Sequence, residues 1–356
     1  MKDVIIVGGG LSGMLTARAL HQAGMSVMLM EQHELGRDSS WAANGMLNPV
    51  YPWHCPAPVM DLVLNGLQHY PALSAELNTV SAIDMQWEIS GTLYLDQAEY
   101  AAAQRWAAQY QQEYERLAGA AALKRSELAL APTFSEGLYF PHFCQLRNPR
   151  QLAALRAWLR SYPVLISEHN PVESLIIEDG VVRGVRMGNQ DWLAKRVILT
   201  TGAWSNGFAE LQLGIRSTTT HSVIFRGEPE RLKHMVIYQG KSLVPRRDGR
   251  IVFSTPLSGD AMGTTDPLAA MQAEAVELIP ALADIRMQHQ WCGVFPETLD
   301  GLPYIGEHSQ LANLWVNVGL AQYGLAATVA SARLLVAQLL DETPELDPLP
   351  FNLARA

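Results

Sequence analysis

Val4-Ile5-Ile6-Val7-Gly8-Gly9-Gly10-Leu11-Ser12-Gly13 and, a short way on, Val27-Met28-Leu29-Met30-Glu31 decide how this chain is read. Four consecutive apolar residues running into glycine read as a buried parallel strand. Beyond it, Met14, Leu15, Ala19 and Leu20 recur at helical spacing as far as Ala23, and Gly24 stands where a C-cap glycine belongs. Val27 to Met30 is a second apolar strand. Strand, crossover helix and parallel strand within about 30 residues make the doubly wound α/β unit. The glycines spell GxGxxG. Gly8 permits a tight turn, Gly10 lets backbone approach a pyrophosphate at the helix N-terminus, and Gly13 lets the helix pack closely on the strand. Glu31 follows Gly13 by 18 residues, at the end of the second strand. A carboxylate there accepts from ribose hydroxyls and repels a 2′-phosphate, which argues against NADP. The pattern predicts a dinucleotide site that also includes Leu11, Ser12 and Gln32.

The rest of the composition narrows the class. The chain has 356 residues, 48% hydrophobic and 17% charged, with 26 basic and 35 acidic residues for a net charge of −9. At about 150 residues per domain this length suggests two or three domains. Wholesale disorder and collagen-like repeats are excluded. Without a Lys/Arg block, an acidic chain is a poor nucleic-acid binder. Cys55, Cys144 and Cys292 are far apart and show no zinc spacing, so reduced thiols and a cytoplasmic setting fit best. The first strand begins so early that no signal peptide is expected. No apolar run reaches about 18 residues; the longest, Leu325 to Leu340, is interrupted by Arg333 and Gln338.

Further along, residues 36–58 read as a long functional loop, with Gly36, Asn44 and Gly45 and prolines at 49, 52, 56 and 58. Residues 59–80 and 97–118 read as helices and Ile89 to Leu95 as a strand. Asn148-Pro149 reads as an N-cap and first turn, followed by an apolar face of Leu152, Leu155 and Leu159. Hairpins are expected around Glu178-Asp179-Gly180 and Asp248-Gly249. Arg196 to Thr200 and Trp315 to Val318 read as buried strands, the latter followed by Gly319 and a long helix. There is no internal repeat.

Three further stretches separate FAD from NAD. Ser39-Ser40-Trp41-Ala42-Ala43-Asn44-Gly45-Met46-Leu47 resembles the flavin loop of the glycine oxidase / D-amino-acid oxidase family. Thr200-Thr201-Gly202-Ala203-Trp204-Ser205 resembles that family's second strand-to-glycine nucleotide contact, and Asp300-Gly301-Leu302-Pro303-Tyr304-Ile305-Gly306 its C-terminal signature. The matches run in order over nearly the whole chain. The resemblance implies an α/β flavoprotein with non-covalent FAD: a Rossmann-like domain over residues 1–82, 146–218 and 291–356, and an antiparallel-sheet substrate domain over 83–145 and 219–290. It implies oxidation of a C–N bond by hydride transfer to flavin N5, with oxygen or another acceptor taking the electrons. Its cofactor positions fall on Gly8, Gly10, Gly13, Glu31, Ser39, Ser40, Ala42, Ala43, Asn44, Gly45, Met46 and Leu47. They continue at Val172, Thr201, Gly202, Trp204 and Gly293, and at Gln322, Tyr323, Gly324 and Leu325, where a helix N-terminus would face the flavin pyrimidine ring.

On the substrate side the resemblance fails. The family clamps a substrate carboxylate with an arginine in a Gly-x-Arg-Pro motif, because a bidentate guanidinium matches a carboxylate. This chain reads Gly293-Val294-Phe295-Pro296. A second family arginine falls on Gln322, and a carboxylate-binding tyrosine on Ser242. With Met46 and Tyr323 these are the substrate-pocket candidates. Together they imply a small amine-like substrate without an α-carboxylate at the usual place, and a poor glycine oxidase. A same-fold dehydrogenase, or a flavin-binding module that has lost turnover, remains open. Arg226, Lys241, Arg246 and Arg247 are alternative anion contacts, and His221 is a candidate site residue. Trp53, His54 and Cys55 are a candidate lid, and Trp41 a candidate edge for the isoalloxazine. Cys292 lies near where some relatives tether flavin covalently, yet one residue off.

Overall fold

The computed structural model describes residues 1–227, 232–256 and 267–355. Two eight-stranded sheets organise them. The first runs, from one edge, through strands Tyr304–Glu307, Leu314–Val318, Gln190–Leu199, Lys2–Val7, Val27–Met30 and Leu165–Ser167. Its centre is parallel: Val4 pairs with Val27 on one side and Arg196 on the other. Along that path only the edge strand Tyr304–Glu307 turns antiparallel. The strands Val181–Met187 and Ser174–Glu178 branch from Gln190–Leu199 as the expected hairpin. Val4, Ile5 and Ile6 are buried because helices cover one face and loops the other.

The second sheet has the order Met287–Glu297, Arg216–Arg226, Arg250–Pro256, Lys241–Pro245, Met235–Tyr238, Thr92–Tyr94, Glu136–Phe140, Glu115–Ala118. It is antiparallel except between Met235–Tyr238 and Thr92–Tyr94. One face packs against the helix Pro267–Leu278 through Val223, Phe253 and Leu243. The other turns toward the first sheet, and Val252, Val244 and Ile237 join the main core there.

Several elements differ from the sequence reading. The expected helix over 97–118 is a 3-10 turn at Gln97–Glu99 and a helix at Tyr100–Gln109. Gln111 then takes positive φ, and Glu115–Ala118 becomes an edge strand against Glu136–Phe140. Alanine-rich composition favours helix, but the open sheet edge captures the last residues. The expected strand Ile89 to Leu95 is broken at Gly91, where φ is +67° and a Cβ would sit 2.5 Å from the Tyr139 ring. Within the 36–58 loop a short helix forms at Asp38–Ala42. The helix Asn148–Arg160 is capped at Arg147, not Asn148. The Asn148 amide instead donates to the carbonyls of Ser40 and Trp41, at 3.1 and 2.7 Å.

Candidate functional site

Between the two sheets lies a cleft of about 420 Å³. The glycine turn forms one end. A Cβ on Gly13 would stand 1.9 Å from the Gly8 carbonyl, so the helix Leu11–Gln22 touches the strand only because that side chain is absent. The helix's N-cap residue, Gly10, has no side chain to cap it; Ser40 Oγ takes only the Leu11 N–H, at 2.9 Å. Its first turn therefore presents N–H groups to the cleft, as a pyrophosphate requires. Glu31 ends the second strand with its carboxylate held by the N–H groups of Gly9, at 2.6 Å, and His33, at 2.8 Å. Glu31 and Gln32 line the cleft there, joined by Val172, Asn170 and Arg37.

The loop after Gly36 is pinned carbonyl by carbonyl. Besides Asn148, Trp291 Nε1 donates to Ala42 O at 2.8 Å. Arg246 donates to Asn44 O at 2.5 Å, to Leu146 O at 2.8 Å and to Gln145 Oε1 at 3.2 Å. Burial lowers Arg246 to about 10, so it keeps its charge at neutral pH. A Cβ on Gly45 would strike Leu146 O and the Arg246 guanidinium, which explains the glycine. Ser39, Ser40, Ala42, Ala43, Asn44 and Met46 line the cleft, whereas Gly45 and Leu47 lie behind it.

From the opposite wall come Thr201, Gly202 and Trp204, and from the start of the helix Gly324–Leu339 come Gln322, Gly324 and Leu325. No side chain caps that helix either. Asn317 lines the cleft there, its amide N–H donating to Ser331 Oγ at 3.1 Å. Tyr323 points into the core and meets Cys55, while Gly293 lies under the Phe295 ring; neither lines the cleft. With a glycine turn, two helix starts opening on the cleft and the Glu31 carboxylate lining it, the residues fit FAD.

Met46, Ser242, Phe295 and Gln322 gather at the far end of the cleft, with Tyr51, His54, Ser222, Ser254 and Thr220, residues that sequence reasoning missed except for His54. Tyr51 donates to Asp96 at 2.6 Å, and His54 meets Glu99 at 2.8 Å. Burial, then the Asp96 hydrogen bond, raises the Tyr51 phenol; burial raises Asp96. Lys241 pairs with Glu274, and Arg247 with Asp84 and Glu88. Neither lines the cleft, nor do Arg226, Arg246, His221, Trp53 or Trp41. Trp41 instead packs edge-on to Trp291. Cys55 is raised by burial to about 12, and Cys292 is exposed away from the cleft. Among the described residues no cluster suits a metal, and no helix is long and apolar enough to cross a membrane.

A family model for FAD dependent oxidoreductases (DAO) matches residues 3–338. This chain belongs to that family. It is 33% identical over 98% of its length to a glycine oxidase of Pseudomonas putida, covering 98% of that protein. It is 32% identical to a glycine oxidase of Pseudomonas aeruginosa, with the same coverage. The crystal structure of glycine oxidase from Geobacillus kaustophilus superposes with a TM-score of 0.90 at 25% identity, covering 100% of this chain and 99% of that one. The protein is thus an FAD-dependent oxidoreductase of the glycine oxidase type, with a Rossmann-like sheet and a second antiparallel sheet, and its FAD is held without a covalent bond.

Proposed function

We propose that this enzyme oxidises the C–N bond of an amine that carries no α-carboxylate at the family's usual anchor, and that glycine is a poor substrate. One observation carries the reading: among the described residues lining the cleft, the only arginine is Arg37, next to Glu31 at the nucleotide end, and there is no lysine. The far end offers Phe295, Gln322 and Ser242 in its place. Two residues that line it, Tyr51 and His54, bond the carboxylates of Asp96 and Glu99. Those carboxylates repel a substrate carboxylate and tolerate an amine.

Bound FAD would supply the hydride acceptor for the carbon next to nitrogen. The chain's own residues then bind and orient. Gly8, Gly10, Leu11 and Ser12 would hold the pyrophosphate, and Glu31 the ribose. The 39–46 loop and the start of Gly324–Leu339 would hold the flavin ring, where the helix dipole would favour negative charge. Phe295 packs against the apolar part of the amine. We assign residues 1–82, 146–218 and 291–356 to the FAD domain and 83–145 and 219–290 to the substrate domain, in a cytoplasmic enzyme that passes electrons to oxygen or another acceptor.

The test is flavin bleaching and peroxide formation with glycine, sarcosine, D-alanine and D-proline beside carboxylate-free amines. Bleaching by the amines at concentrations where glycine is inert is expected. Efficient glycine turnover at submillimolar KM restores glycine oxidase activity to this chain. Failure of every amine and amino acid to bleach the flavin points instead to a binding module.

A further inference from the structure

Resting on the amine-oxidation reading above, we infer that Ser222, Ser254 and Ser242 form a ledge that recognises a neutral hydroxyl group, so that the substrate is an amino alcohol. The three serines stand on adjacent strands. Ser254 is the register partner of both Ser222 and Ser242, which makes one row across the sheet with neighbours about 4.8 Å apart. All three are buried and all line the cleft.

Their position is the unusual part. The adjacent row on the same face, Ile224, Val252 and Val244, is wholly apolar and belongs to the core. The next residues along each strand, Val223, Phe253 and Leu243, turn to the opposite face and are apolar too. A sheet that needed only packing would continue Val and Ile into the serine row, since a buried hydroxyl must find a partner. Polar residues at core-facing positions mark a place where recognition outweighs packing.

Their hydrogen bonds leave capacity aimed at the cleft. Ser222 and Ser254 hydroxyls are 2.8 Å apart, so one donates to the other and the second O–H is left over. Ser242 accepts from Asn44 Nδ2 at 3.0 Å, a bond that does not use its own O–H. Two of the three O–H groups are therefore free to donate, and every serine oxygen keeps an acceptor site, the complement of an alcohol group. A carboxylate would face hydroxyls alone, with Asp96 and Glu99 bonded to the lining residues Tyr51 and His54 and no cation at that end among the described lining residues. A plain alkyl chain would leave the hydroxyls unpaired.

The experiment uses the FAD-loaded protein and two readouts. Perturbation of the flavin absorption band reports binding of 1,2-propanediol, which cannot be oxidised at a C–N bond. Steady-state kinetics compare 3-amino-1,2-propanediol and ethanolamine with n-butylamine. The diol is expected to bind saturably, and Ser254→Ala and Ser222→Ala to weaken it roughly 3- to 10-fold each, the worth of one neutral hydrogen bond. The same variants should raise KM for the amino alcohols but not for n-butylamine, whose alkyl chain then faces one hydroxyl fewer. No binding of the diol, an unchanged diol affinity in Ser254→Ala, or a loss confined to acetate binding overturns the ledge. If the diol binds and the serine variants weaken it while no amine bleaches the flavin, the ledge stands and the oxidation reading falls.

Discussion

A carboxylate placed beside Phe295 would lose its water to a benzyl ring. The Phe295 ring lies within 2.8 Å of where a Gly293 Cβ would be, so it fills the strand's cleft side, and Arg37 is the only arginine or lysine among the described lining residues. An unpaired buried charge costs several kcal/mol, and each missing charged hydrogen bond about 1.5–3 kcal/mol, so glycine should bind about 10³-fold more weakly than at an arginine-bearing site. Phe295→Arg is therefore expected to improve binding of acetate or glycolate by at least about tenfold, read from the flavin spectrum. Unchanged affinity would mean the position does not face the substrate. At the other end, Glu31 braces its own turn through Gly9 and His33. Glu31→Gln removes the charge and turns one of these two acceptors into a donor facing an N–H, and should weaken FAD at least roughly 5- to 10-fold by equilibrium dialysis. Undiminished affinity would move the ribose elsewhere.

Among elements, the helix Leu11–Gln22 and the 39–46 loop carry the cofactor end. At Gly13 a Cβ would lie 1.9 Å from Gly8 O and 2.8 Å from Thr200 Oγ1, whereas at Gly24 nothing lies within 4 Å. Gly13→Ala must therefore drive helix from strand, and is expected to yield protein without FAD and with a clearly lower melting temperature. Gly24→Ala pays only for its φ of +82°, about 1–2 kcal/mol, and should purify yellow. Equal behaviour of the two would refute the close-packing role. Which glycine is which was legible, because the fingerprint fixes backbone geometry by spacing alone. The loop's support was not. Asn148 and Arg246 lie about 100 residues or more beyond the carbonyls they hold, and no local pattern announces so distant a contact. Arg246 reads in sequence as a hairpin charge, and only the approach of Gly45 shows it is a clamp.

At the scale of the whole molecule, the parallel sheet was readable because buried parallel strands are continuous apolar runs; Val4–Val7 and Val27–Met30 are such runs, and Leu314–Val318 departs from one only at Asn317. The second sheet was readable only in pieces. Its order places Met287–Glu297 beside Arg216–Arg226 and Thr92–Tyr94 beside Met235–Tyr238, pairings between segments far apart in sequence. The serine row exists only once those registers are set, so Ser222 and Ser254 could not be seen as neighbours beforehand. The same architecture ties stability to cofactor. The cleft is bounded by both sheets, so a dinucleotide lying in it bridges them, and the unfolded chain offers no such site. Linkage then requires FAD to stabilise the fold by RT ln(1 + [L]/Kd), about 2.7 kcal/mol at a hundredfold excess over Kd. For a protein of this size that corresponds to a rise in melting temperature on the order of 5 °C. The rise should grow with the logarithm of added FAD, and shrink in Glu31→Gln at equal FAD concentration. Acid precipitation should release the FAD into solution and leave a colourless pellet. A melting temperature indifferent to added FAD in protein stripped of its flavin would show that the cofactor does not bridge the two sheets.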